Sequence, residues 1–346
     1  MNILYGGMMM SEKKQLDLFD RDIRDKDISS ITRLFQDVKR YRNSIEFMKK
    51  LDFYSSFPYL GVYNAALVEQ QRPGAKLVLT VKKWDELYNR KIKAHARPVI
   101  ILKPFAPVEF LFDIYDTRQK DKTRKVEENL IIEEIIYKHM AECSHDTSFY
   151  LNNLIENLPK FGITYQKYVV GSTINSEIRT TNKDNAEVLK IFINKDYYVE
   201  HHNYFYICVN MNAHSASKLA LLIHELGHLF CQHIRCPWWD QRFFTKEVKE
   251  FEAETVSYLV CKRLGIQTNA VEYLAEYMDA NREIPPIDIN CVFEAVDLIE
   301  KMVTENLDVT KCIMYKKDKE FKEKVDKEKN KIKGKKEAAK AARQSF

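Results

Sequence analysis

The sequence predicts an α+β protein of two domains, and three observations support this prediction. The chain has 346 residues, which is enough for about two domains. Apolar residues with helical spacing occur in runs that alternate with short stretches of β-branched and aromatic residues, the pattern typical of strands. From Lys316 onward the composition changes, because lysine becomes frequent and apolar side chains become sparse.

These changes in pattern divide the chain into four parts. Residues 1–26 are polar and predict a flexible N-terminus without a fold of its own. Residues 27–122 predict an α+β domain, and residues 123–314 predict a second α+β domain. Residues 315–346 predict a basic tail that is either an exposed helix or a disordered arm.

The first domain is predicted to contain two helices followed by a group of short elements. The helices run from Ile28 to Leu51 and from Tyr59 to Gln70, where Pro73 and Gly74 stop the second one. Periodicity then predicts a strand, a short helix and a strand pair: Lys76–Val81, Lys83–Arg90, and Pro98–Pro104 with Val108–Tyr115.

The second domain is predicted to place helices around a few strands. Helices are expected over Glu127–Tyr137, Thr147–Leu158, Lys218–His233, Val248–Val260, Asn269–Met278 and Asn290–Leu307. Strands are expected over Phe161–Val170, Val188–Asn194 and Tyr204–Asn212. The polar segment from Gly171 to Asn185 predicts a loop without clear chemistry. His201 and His202 are expected at the surface or in a loop, and the alternative is that this pair lines the cleft.

Charge and composition predict a cytoplasmic protein with no membrane segment. The net charge of +5 belongs to the tail, where twelve lysines and one arginine face six acidic residues; the rest of the chain carries about −2. No run of eighteen apolar residues is present, and the first residues lack the pattern of a secretory signal. The seven cysteines are scattered and odd in number, which favours free thiols.

The segment His224-Glu225-Leu226-Gly227-His228 is a candidate metal site. On a helix, two histidines four residues apart share one face and lie about 6 Å apart along the axis, so both imidazoles can reach one ion. This is the helix signature of zinc metallopeptidases, in which Glu225 would act as general base toward a water molecule. Manganese remains an alternative to Zn²⁺. The alternative without a metal is a core helix whose histidines bond to neighbouring groups.

A third protein ligand is needed, and the next predicted helix offers three glutamates. Glu250, Glu252 and Glu254 lie about two dozen residues after His228, and Glu250 is interpreted as a surface residue. Tyr258, on the same helix, is a candidate donor to the oxyanion of a tetrahedral intermediate. An alternative to the catalytic site is a structural zinc knuckle made of His228, Cys231, His233 and Cys236.

A basic and aromatic stretch in the first domain is a candidate site for single-stranded nucleic acid. Cations can follow the phosphates, and exposed rings can stack on bases. The candidate residues are Lys82, Lys83, Trp84, Arg90, Lys91, Lys93 and Arg97. The alternative is that Trp84 belongs to the core and that the lysines only solubilise the surface. The basic tail could also bind nucleic acid.

Several short blocks resemble the ArdC-type antirestriction proteins. They are Tyr63–Leu67, Gln71–Ala75, Trp84–Leu87, Ile100–Pro104 and Phe112–Thr117 in the first half, with the metal helix and Glu252–Thr255 in the second. The resemblance implies an ArdC-like N-terminal domain that binds single-stranded DNA, joined to a zincin-like metallopeptidase domain of ImmA/IrrE type. It also implies Glu252, followed by Ala253, as the third zinc ligand in preference to Glu254.

Two functions are therefore expected from the sequence. The first is a zinc-dependent metallo-endopeptidase that cleaves a cytosolic protein or peptide, for which the ImmA/IrrE resemblance implies a transcriptional repressor. The second is a DNA-binding antirestriction protein of a mobile element, in which the peptidase site is vestigial or subordinate.

Overall fold

A computed structural model describes residues 44–103, 106–121, 127–128, 130–132, 147–168, 176–182, 185–210, 214–266, 274 and 283–344. The chain forms two compact units, the first comprising residues 1–139 with 282–284 and the second residues 140–281 with 285–346. The boundary therefore lies after residue 139, whereas the sequence placed it after residue 122. Ile131 explains the difference, because it is buried in the core of the first unit. The predicted N-terminus and the predicted helix at Asn269–Met278 lie outside the described residues, except for Leu274.

The first unit combines helices with short antiparallel strands. Its elements are α1 (Ser44–Ser55), α2 (Val62–Gln71), β1 (Val78–Leu79), α3 (Val81–Tyr88), β2 (Arg90–Ile92), β3 (Val99–Lys103), β4 (Ala106–Asp113) and β5 (Thr117–Gln119). Within the described residues, β1, β4 and β3 form one antiparallel sheet in that order, and β2 pairs with β5. The predicted strand pair is therefore confirmed as β3 and β4.

The second unit contains a small sheet, a hairpin and a group of packed helices. Its elements are α4 (Thr147–Asn157), β6 (Ile163–Tyr168), β7 (Ser176–Thr180), β8 (Val188–Phe192), β9 (Tyr198–His202), β10 (Phe205–Asn210), α5 (Ser215–Phe230), α6 (Lys246–Arg263), α7 (Ile289–Thr304), α8 (Ile313–Lys317) and α9 (Lys319–Gln344). The coarse prediction of an α+β fold is confirmed by both units.

The sheet of the second unit has β10 at its centre. β10 pairs in parallel with β6 on one side and antiparallel with β7 on the other. β7 lies inside the segment from Gly171 to Asn185, so the prediction that this whole segment is a loop was wrong. The residues of β7 are half-buried or exposed, and such an edge strand lacks the apolar alternation by which strands are recognised.

Helices α5 and α6 cross closely at Gly227. A Cβ atom on Gly227 would lie 3.1 Å from Cα of Ala253 and 3.2 Å from its carbonyl oxygen. Any larger residue at position 227 would press on the backbone of α6, so glycine permits the close approach. This approach brings the glutamates of α6 next to the histidines of α5.

The segment predicted as a basic tail is a folded part of the second unit. Phe321 and Val325 on α9 are fully buried against Ile191 and Val199, which belong to the hairpin formed by β8 and β9. The helical alternative for residues 315–346 is therefore confirmed over Lys319–Gln344, and the first part of this helix packs on the second unit rather than standing apart as a tail. Its apolar residues have helical spacing, but they are few and the lysines between them dominate the composition.

Six of the seven cysteines lie in the described part of the chain, and all six are buried free thiols, as predicted; Cys143 lies outside it. Among the helices that the structure describes, each is too short or too polar to cross a lipid bilayer.

Candidate metal centre

The two histidines of the sequence motif converge on one point at the surface of α5. Leu219, Leu222, Ile223, Leu226 and Leu229 are fully buried and fix the orientation of this helix. His224 and His228 lie one turn apart on a partly buried face, and their Nε2 atoms are 3.2 Å apart. Both imidazoles therefore direct the same nitrogen to a shared position, as the sequence predicted.

Glu250 completes the group of candidate ligands. Its Oε2 atom lies 3.5 Å from Nε2 of His224 and 3.5 Å from Nε2 of His228. With Zn–N and Zn–O bonds near 2.0 Å, neighbouring ligand atoms of a tetrahedral zinc site lie about 3.3 Å apart. The three separations are close to that value, so two imidazoles and one carboxylate fit a zinc ion with an open fourth position.

The structure offers a different candidate for the third ligand from the predicted one. Glu252 was expected to bind the ion, but its side chain is fully buried away from this group. Glu250 was expected on the surface, but it faces both histidines. Two helix positions correspond to a rotation of about 200°, so Glu250 and Glu252 point to nearly opposite sides of α6, while Glu250 and Glu254 share one side. The crossing of α5 and α6 determines which side meets the histidines.

Glu252 belongs instead to a buried polar network. Its Oε2 is 2.8 Å from Nε2 of His233, and the guanidinium of Arg242 lies 3.1 Å from both of its oxygens. The backbone N–H of Asp288 donates a further bond of 2.7 Å to Oε1. Burial raises the pKa of the Glu252 carboxyl, but these donors outweigh it and hold the pKa below its usual value.

Both histidines also have a partner at the ring nitrogen that faces away from the shared position. Nδ1 of His224 is 3.0 Å from Oε2 of Glu254, and Nδ1 of His228 is 3.0 Å from Nδ1 of His233. Ligand histidines of metal sites are usually oriented by such bonds. Burial lowers the pKa of His224, but Glu250 and Glu254 outweigh it and raise this pKa to about 10. The same histidines lower the pKa of Glu250.

Glu225, the candidate general base, contacts the sheet of the second unit. It is only 7% exposed, and its Oε1 accepts a hydrogen bond of 2.7 Å from Oγ of Ser176 on β7. Ser176 was not predicted, because it lies in a segment read as a loop. Its bond to Glu225 restricts the position of the candidate base.

A second group of possible metal ligands is already occupied by protein bonds. Cys231, His233 and Glu252 are close together and buried. Glu252, however, accepts bonds from His233, Arg242 and the backbone, so a cation would have to displace a guanidinium. In the alternative zinc knuckle of His228, Cys231, His233 and Cys236, His233 is therefore already bonded to Glu252. Burial also raises the pKa of the Cys236 thiol to about 12, which disfavours the thiolate that zinc binds.

Tyr258, the candidate oxyanion donor, is buried in the second unit. It is 5% exposed, and its hydroxyl accepts a hydrogen bond of 2.7 Å from Nζ of Lys262. This hydroxyl is therefore paired with Lys262, and the role as oxyanion donor stays a prediction.

The candidate nucleic-acid residues of the first unit divide into two groups. Trp84 is fully buried and donates to the carbonyl of Phe112, so it cannot stack on a base. Arg90 is 3% exposed and bonds to Thr117 and Glu128, so it is structural. These two predictions are corrected. The remaining candidates, Lys82, Lys83, Lys91, Lys93 and Arg97, are exposed.

The sequence is similar to a curated plasmid protein. The chain is 24% identical, over 344 residues, to pXO2-81, an uncharacterized protein of Bacillus anthracis. The match includes 86% of this chain and 55% of that protein, so the chain spans about half the length of its relative. No family model and no solved structure matches the sequence.

Proposed function

We propose that the second unit is a zinc-dependent peptidase domain in which His224, His228 and Glu250 hold the ion. The observation that supports this most directly is the convergence of their three ligand atoms, at separations of 3.2, 3.5 and 3.5 Å. Two neutral imidazoles and one carboxylate are a frequent ligand set of catalytic zinc sites, and they leave a position open for water.

The residues around this site suit hydrolysis. A bound zinc ion supplies a Lewis acid that polarises the scissile carbonyl and acidifies water. Glu225 follows His224 on α5 and interacts electrostatically with that imidazole. Its carboxylate would accept a proton from the attacking water and pass it to the leaving nitrogen. Ser176 donates to one oxygen of Glu225 and leaves the other oxygen available for this transfer.

A peptide is the substrate that the surrounding backbone fits best. β7 is one of the two outer strands of the described sheet, and no described strand pairs with its second edge. An extended peptide can add to such an edge through main-chain hydrogen bonds. Since Ser176 of β7 contacts Glu225, a peptide along this strand would pass the candidate base. A protein substrate, such as the predicted transcriptional repressor, would need an extended segment here.

The decisive experiment combines metal analysis with hydrolysis. Purified protein should retain about one zinc ion per chain, and the variant with both His224→Ala and His228→Ala should retain none. Glu225→Gln should keep the ion but lose cleavage of a library of unstructured peptides. The matched control is Glu294→Gln, an exposed glutamate on α7, which should change neither property. Stoichiometric zinc in the double histidine variant would refute the proposal.

A second candidate function, nucleic-acid binding, is favoured by the exposed end of α9. Between Lys329 and Lys336 there are five lysines and no acidic residue. Lys335, Lys336 and Lys340 are exposed, and Nζ of Lys335 lies 5.2 Å from the ring centre of Tyr197. A row of cations on one helix can neutralise phosphates. This surface therefore replaces the predicted stretch around Trp84 as the better candidate.

A further inference from the structure

A continuous chain of hydrogen bonds runs from the candidate metal centre into the protein interior. Nδ1 of His228 is 3.0 Å from Nδ1 of His233, and Nε2 of His233 is 2.8 Å from Oε2 of Glu252. Arg242 holds both oxygens of Glu252 at 3.1 Å. His233 and Glu252 are at most 4% exposed, so the chain is shielded from water.

Only one arrangement of protons satisfies this chain while leaving His228 able to bind a cation. Nε2 of His228 must present a lone pair to the ion, so its proton lies on Nδ1. Nδ1 of His233 then accepts the hydrogen bond from Nδ1–H of His228. The single ring N–H of neutral His233 therefore lies at Nε2. Nε2 donates to Glu252, which stays ionised because Arg242 and the backbone N–H of Asp288 donate to it.

The backbone after α5 is bent so that His233 reaches His228. Gln232 has a φ of 64°, a left-handed conformation that is costly for a residue other than glycine. The bend allows the backbone N–H of His233 to donate to the carbonyl of His228 at 2.9 Å, and it places the two rings 5.2 Å apart. Such a conformation persists where the surrounding contacts determine it.

We propose that His233, held by Glu252 and Arg242, is a positioning residue of the metal centre: it fixes the ring orientation and the tautomer of His228. Without it, His228 could rotate, or could carry its proton on Nε2 and present a donor to the ion. His224 has a separate partner in Glu254, so the two ligand histidines are oriented independently. This inference rests on the proposed zinc site.

The test measures zinc affinity by competition with a chromophoric chelator. His233→Ala should weaken zinc binding about 10–100-fold, the usual effect of removing a partner of a ligand histidine. His233→Gln should restore most of the loss, because its amide oxygen can accept from His228 and its NH₂ group can donate to Glu252. His214→Ala, which removes an exposed histidine at the start of α5, is the matched control and should bind like wild type.

Two further readouts separate positioning from a purely structural role. Unfolding of the metal-free variants measures stability alone, and the visible spectrum of the Co²⁺-loaded proteins reports the ligand geometry. The inference is overturned if His233→Ala binds zinc within about twofold of wild type. It is also overturned if His233→Gln binds no better than His233→Ala. If wild type itself does not bind zinc, the proposed function is refuted together with this inference. If replacing His224 and His228 removes zinc binding but replacing His233 does not weaken it, only this inference is refuted.

Discussion

Oε2 of Glu250 lies 3.5 Å from Nε2 of His228, although the two residues belong to different helices and are separated by 22 positions in the chain. This proximity makes Glu250, rather than Glu252, the candidate third ligand. We expect Glu250→Gln to abolish zinc retention in metal analysis and, because its pairing with His224 is lost, to lower the stability of the metal-free protein as well. The control is Glu294→Gln on α7. Full zinc retention by Glu250→Gln would contradict this assignment.

Substitution of Glu252 should act mainly on the stability of the fold, because this carboxylate is buried and bonded to Arg242 and His233. We expect Glu252→Ala to lower the free energy of unfolding by about 3–5 kcal/mol, since Arg242 would lose its carboxylate partner inside the protein. Urea unfolding of the metal-free variant, compared with wild type, measures this. The exposed Glu247 on the same helix supplies the control, and Glu247→Ala should have a much smaller effect. Equal losses from the two variants would argue against the buried network.

The buried side chains of α9 should contribute to the stability of the second unit, whereas its exposed C-terminal end should not. We expect Phe321→Ala to cost about 3–5 kcal/mol, because the ring is fully buried against the hairpin. A chain ending after Lys333 should unfold like wild type, since the residues beyond it with described side chains are exposed. Chemical unfolding monitored by circular dichroism distinguishes the two. A Phe321→Ala variant as stable as wild type would show that α9 does not belong to the core.

The anchor of α9 should make the second unit sensitive to acid. His201 bonds to Asp318 at 3.0 Å, and both pKa values are lowered: burial dominates for His201, whereas hydrogen bonds outweigh burial for Asp318. The unfolded chain therefore binds more protons than the folded one as the pH falls below the unfolded His201 pKa of about 6.5, and stability should decrease. A second decrease is expected below about pH 4 from Asp318.

Unfolding free energies measured between about pH 7.5 and pH 5 check this dependence. His201→Gln should reduce it, because one of the residues that take up a proton in the unfolded chain is gone; His233, whose pKa burial also lowers, remains. His202→Gln, at an exposed position beside it, is the matched control. A pH dependence identical in both variants and wild type would exclude His201 as its source.

Nucleic-acid binding, if present, should depend on α9 rather than on the first unit. We expect binding to a single-stranded oligonucleotide to weaken steeply with salt, measured by fluorescence anisotropy. Replacing Lys335, Lys336 and Lys340 with glutamine should lower the slope of log affinity against log salt by about 2. Lys82→Gln with Lys83→Gln is the matched control and should leave the slope unchanged. The opposite result would place the surface in the first unit.

Much of the local structure was predictable from the sequence, since it depends on local patterns. The strand pair β3 and β4, the strand before the metal helix, and helices α5, α6 and α7 were all predicted to within a few residues. Asp288 is the N-cap of α7, and its side chain accepts bonds from the backbone at the start of this helix, as its residue type favours. β7 was missed because an edge strand of mixed polarity has no strong periodicity.

The sequence by itself determined that two histidines and a glutamate share one helix, because the four-residue spacing places both imidazoles on one face. It also placed three glutamates on a following helix. Only the tertiary structure decided between them, because the choice depends on how α5 and α6 cross at Gly227 and Ala253. That crossing turns Glu250 and Glu254 toward the histidines and Glu252 toward Arg242. The sequence of α6 alone does not specify which of its sides faces α5.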